Sequence, residues 1–86
     1  MNIVKYGDIE ITFNINTVRF KSKSDATCIF VDWDEDMGAS VDIEGRIFCV
    51  GTEDNENFYE VIVTEQLPGE HGKIYHPICT SRVYYN

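Results

Sequence analysis

Asp32, Asp34 and Asp36 stand at alternate positions with Glu35 among them, directly after an apolar run that ends at Val31. Carboxylates at the first, third and fifth positions are how an EF-hand loop surrounds calcium with hard oxygen ligands. The match stops there. The sixth position, where the sharp turn needs glycine, is Met37, and Gly38 comes one place late. The twelfth, which should be a bidentate glutamate, is Ile43, and Glu44 is again one late. A solvated acidic loop is expected here, without metal or other cofactor.

Cys28, Cys49, Cys79, His71 and His76 are the side chains that could bind zinc. Structural zinc sites usually contain a close cysteine pair, whereas these cysteines lie 21 and 30 residues apart. Cys79 with His76 or His71 would make a nucleophile and base. However, Cys79 sits between Ile78 and Thr80 in a predicted strand, with nothing beside it to favour a thiolate. Glu53 and Asp54 are paired acids in a polar loop that lacks the apolar pocket needed to raise a carboxyl pKa. A glycine-rich phosphate loop is missing as well. The expectation is buried, reduced thiols and no enzyme.

What remains is the chemistry of a charged surface. In an extended chain, alternate residues project to one side about 6.6–6.8 Å apart. Asp32, Asp34 and Asp36 would then form one row, and Asp42 and Glu44 another. DNA carries a phosphate per about 3.4 Å on each strand, so such a row crudely imitates every second phosphate. Trp33, Phe58 or Tyr59 could add the aromatic anchor that interfaces favour. The candidate partner-binding residues are Asp32, Trp33, Asp34, Glu35, Asp36, Asp42, Glu44, Glu53, Asp54 and Glu56.

The charge distribution supports that choice. The net charge is -8, but residues 1–31 carry three acids against four bases. Residues 32–70 carry twelve acids against Arg46 alone, and residues 71–86 carry Lys73 and Arg82 with no acid. A surface of this sign argues against direct binding of nucleic acid or of an anionic membrane, since both need a basic footprint. The start of the chain lacks an apolar leader, and its longest apolar runs are four residues, so the expected compartment is the cytoplasm.

Eighty-six residues predict a single domain over 1–86, and 43% hydrophobic content is too apolar for disorder. Ile9, Ile11, Phe13 and Ile15 alternate with Glu10, Thr12, Asn14 and Asn16, the period of a strand with one buried face. The apolar set then moves to Val18 and Phe20, which requires a turn or bulge near Asn16. Residues 27–33 read as a strand apolar on both faces, hence central. Val41, Ile43, Ile47 and Cys49 alternate with Asp42, Glu44 and Arg46, with Gly45 marking a hairpin turn or a bulge. Residues 58–65 form another strand, in which Tyr59, Val61 and Val63 share a face. Residues 73–78 and 82–85 are the last extended segments, and Pro77 suits an edge. The predicted fold is all-β: a small antiparallel β-barrel or curled sheet of about six short strands, with at most one helical turn over 34–38.

The expected function is that of an acidic inhibitor that occludes a basic nucleic-acid-binding groove on another protein. In size and charge the chain resembles the small acidic inhibitors of host defence nucleases encoded by phages, of the anti-CRISPR or anti-restriction kind. That likeness is to a type of protein and not to a family. The alternative is an assembly module that oligomerises through strand edges, cued by Val83, Tyr84 and Tyr85; a metal-binding module is third. A monomer or small homo-oligomer is expected.

Overall fold

The alternation of Ile9, Ile11 and Phe13 with polar neighbours becomes the strand β2 (Ile9–Phe13), which turns all three apolar side chains inward. In the computed structural model, β1 (Asn2–Tyr6), β2, β3 (Thr17–Ser22) and β4 (Cys28–Asp32) form one antiparallel sheet in chain order. A second sheet repeats that meander with β5 (Ser40–Ile43), β6 (Arg46–Asp54), β7 (Phe58–Gly69) and β8 (Gly72–Tyr84). The structure describes residues 2–24, 28–32 and 39–84. The helical turn expected over 34–38 lies outside them. Among the described residues there is no helix, and none that could cross a membrane.

The fold is all-β and antiparallel, as expected, with eight strands where about six were anticipated. Among the described residues no strand of one sheet pairs with a strand of the other, so the sheets stack as two layers instead of closing into a barrel. One core lies between them. The first sheet supplies Ile9, Ile11, Phe13, Val18, Phe20 and Val31, and the second supplies Ile43, Phe48, Val50, Val61 and Val63. Phe20 and Phe48 join the layers with ring centroids 5.7 Å apart, both fully buried.

Three local expectations need correction. β4 is an edge strand and not a central one: Val31 and Ile29 turn inward while Phe30 stands 60% exposed on the outer face. An apolar residue on a strand is therefore no proof that its face is covered. The 73–78 and 82–85 segments are one strand, β8, with a register shift that leaves Ile78 as an extra residue beside Pro77. The phase of β6 is also opposite to the expected one. Glu44 (φ 54) and Gly45 (φ 80) form a two-residue turn with positive φ at both positions, so Ile43 pairs directly with Arg46. Directly paired residues share a face. Arg46, Phe48 and Val50 therefore point in, and Ile47 and Cys49 point out.

The turns divide the sandwich into two ends. Gly7, Gly45, Glu70 and His71 lie at what we call the lower end, with the Tyr6 ring against Phe48 and His76. The β2–β3 turn and the β6–β7 hairpin lie at the upper end, where Phe58 pairs with Tyr84 and Thr17 with Asp32.

Phe48→Ala should lower stability by about 3–5 kcal/mol, because the cavity opens between both layers. Phe30→Ala should change it far less, by about 0.5 kcal/mol, since that ring stands 60% exposed on the outer face. Urea unfolding followed by far-UV circular dichroism checks both, and equal effects would contradict this assignment of the core.

Candidate protein-binding surface

Because each sheet is one continuous half of the chain, the uneven charge along the sequence becomes uneven charge in space. β1–β4 and their turns carry Asp8, Glu10 and Asp32 against Lys5, Arg19, Lys21 and Lys23 among the described residues. Residues 39–84 carry eight acids against Arg46, Lys73 and Arg82.

The candidate residues do not all come together. Glu53, Asp54 and Glu56 sit at the exposed β6–β7 hairpin, whose turn is closed by the Asn55 N–H donating to the Phe58 carbonyl at 2.8 Å. Asp32 ends β4 at this same upper end, half-buried on the outer face. Asp42 and Glu44 are at the opposite end of β6, whose nine residues span about 27 Å. They do not form a row either. Asp42 points outward and accepts the Gly45 N–H at 3.0 Å, holding the turn. Glu44, within the turn, accepts hydrogen bonds from Ser22 Oγ at 3.0 Å and from Ser24 Oγ, which ties the two sheets together. Trp33, Asp34, Glu35 and Asp36 lie outside the described residues. Of the suggested aromatic anchors, Tyr59 packs against the core. Phe58 is held on the outer face between the Arg82 guanidinium, 4.4 Å from the ring centroid, and Tyr84 at 5.4 Å.

Ion pairing separates the acids further. Glu10 pairs with Arg19 at 3.2 Å, Glu65 with Arg46 at 2.8 Å and Glu60 with Arg82 at 3.8 Å. Glu53 and Glu56 have no cation within bonding distance among the described residues. At the upper end they are available to another molecule, as the exposed Asp8 and Glu70 are at the lower end.

The lower end holds a cluster the sequence reading missed. Glu65 is 5% exposed and points inward from β7, where it would be an unpaired buried charge. Arg46 opposes it with two parallel donors, Nε to Oε2 at 2.8 Å and a terminal nitrogen to Oε1 at 2.9 Å, and the Tyr6 hydroxyl donates to Oε1 at 3.0 Å. The guanidinium also lies over the Tyr6 and Phe48 rings, 5.4 and 5.2 Å from their centroids. The Arg46 hydrogen bonds hold the Glu65 carboxyl below the usual carboxylate range, despite burial acting the other way. The same carboxylate raises the Tyr6 phenol. Both Glu65 oxygens are occupied, so the group closes the end of the core. A signal was present in the sequence. Arg46 is the sole base in a stretch of twelve acids, which marks it as a committed partner.

Of the thiols, Cys79 is pushed up to about 11 by burial, which keeps it protonated and unreactive near neutral pH. Among the described residues no group of three histidine, cysteine or acidic side chains could hold a metal ion.

Glu65 has a folded pKa below its unfolded one, so its contribution is present above about pH 4.3 and is lost as pH falls through the folded value. Glu65→Gln should cost about 1–3 kcal/mol at neutral pH. It should also flatten the acid limb of stability below about pH 4.3. Urea midpoints measured across that range test this, and an unchanged acid limb would remove Glu65 from the account.

No family model matches the chain, and neither the curated proteins nor the solved structures contain a significant match to it.

Proposed function

We propose that this is a small acidic binding protein that occludes a basic, nucleic-acid-binding surface of another protein, as anti-defence inhibitors of phage type do. The observation that supports the reading is the upper end of the sandwich. Glu53 and Glu56 stand there exposed and unpaired beside Asp54, at the end where Asp32 leads into Asp34, Glu35 and Asp36 in the chain. A rigid two-layer scaffold beneath the hairpin spares the ordering cost that a flexible acidic tail would incur on binding. The mechanism is competition: the carboxylates pair with the arginines and lysines that would otherwise hold phosphates. A defence nuclease complex is the partner class with such a groove. The lower-end acids are left out of this role, since Asp42 and Glu44 already serve the turn and the contact between sheets.

The test is capture of partners from a native host lysate on the tagged protein, with elution by a salt gradient. A nucleic-acid-binding protein should be released at moderate salt and competed by DNA or RNA, because exposed charges are screened and association is steered by them. Glu53→Lys combined with Glu56→Lys should weaken that capture by about tenfold or more while the melting temperature stays near wild type. Recovery of the chain alone, or of a partner held through high salt and indifferent to the double variant, would sink the reading.

A further inference from the structure

β8 is the last strand of its sheet, and no described strand pairs with its far side. Natural edges are usually guarded by proline, lysine or a bulge. The lower half of β8 has all three, in Lys73, Pro77 and the extra residue Ile78. Residues 79–84 have no proline, lysine or bulge, and Arg82 is their one charged side chain.

Beside this half lies an open cleft of about 860 Å³, between the β2–β3 turn and the end of β8. Phe13 and Ile15 line one side, with Val83 and Tyr84 on the other, and Arg82 at the rim. Ile15 is 88% exposed and Tyr84 62%. Register with β7 fixes the directions. Ser81 and Val83 oppose the inward-facing Val61 and Tyr59, whereas Arg82 and Tyr84 oppose Glu60 and Phe58 on the outer face. Arg82 is the only charged residue on this half of the edge strand, with Glu60 of β7 opposite it on the outer face. Its contact with Glu60 is long, at 3.8 Å, and its side chain is 53% exposed. A guanidinium has five N–H donors, so donors remain for a second carboxylate.

We propose that the upper half of the β8 edge is a strand-addition site for an extended segment of a partner protein, with an acidic residue between two aliphatic ones. The added strand pairs its backbone with residues 79–84, the general mode in which main-chain hydrogen bonds supply affinity and side-chain pockets supply specificity. Its acidic side chain lies on the outer face beside Arg82. Its two aliphatic neighbours, pointing the other way, enter the cleft between Val83 and Phe13 with Ile15. A second copy of β8 is the poorer occupant, since it would bring together two strands that carry only cations.

The experiment is an amide chemical-shift titration of the isotope-labelled full-length protein with two short blocked peptides. One is centred on Val-Glu-Val and the other on Val-Lys-Val, both in serine and threonine flanks. Shifts should be confined to residues 13–16 and 79–84. The glutamate peptide should bind about tenfold tighter, the factor that one charge-assisted hydrogen bond supplies. Arg82→Glu should invert that preference, a result an unfolded variant cannot give. Ile15→Asp, at an exposed turn, should weaken both peptides. Equal affinity of the two peptides, shifts located elsewhere, or none at millimolar peptide would overturn the proposal. Concentration-dependent shifts at 79–84 without peptide would overturn it in favour of a second copy.

Discussion

Neither sheet of this protein can exist without the other. Each has four strands with one apolar face, and among the described residues each finds its cover in the opposite layer, through Phe20 against Phe48 and the aliphatic residues around them. A chain of this size has little surplus burial, so the interlayer contact sets whether it is folded at all. The ends of the layers are where apolar cover runs out. There, polar groups take over, with Arg46, Glu65 and Tyr6 forming one closed set and Glu44 bridging to Ser22 and Ser24.

The electrostatic character follows from the connectivity. If strands of the two chain halves alternated within each sheet, as in a Greek key, the acidic stretch would be shared between both faces. Consecutive meanders keep it together. The result is one layer with a near balance of charge and another with an acidic excess, with three exposed acids on the hairpin at one end. The opposite edge of that second layer, β8, carries only cations. One sheet thus offers two surfaces of different chemistry.

Much of the fold was legible in the sequence, and the failures have identifiable causes. The clean alternation in β2 gave the correct buried face, because polar and apolar residues disagree at every step. In β4 and β6 the runs Cys28 to Val31 and Ile47 to Val50 are apolar on both faces, so periodicity carries no phase information. For β6 the phase is decided by the two-residue turn at Glu44 and Gly45. Leaving turn and bulge as alternatives there hid the inward direction of Arg46 and with it the Glu65 pair. The acidic surface was legible as composition but not as geometry. Spacing along the chain could not reveal that Asp42 and Glu44 would end up a strand's length from Glu53, Asp54 and Glu56.

The strand order also bears on how the chain reaches this state. Every strand pairs only with its neighbour in sequence, so all hairpins close over short loops with little loss of chain entropy. The only step that joins distant parts of the chain is the meeting of the two halves. Rapid folding for an all-β chain is the consequence, with a barrier dominated by layer docking and not by strand threading. It also follows that a break between β4 and β5 would separate no paired strands among the described residues. The two halves are therefore natural candidates for reassembly as separate fragments, each completing its sheet only as it meets the other.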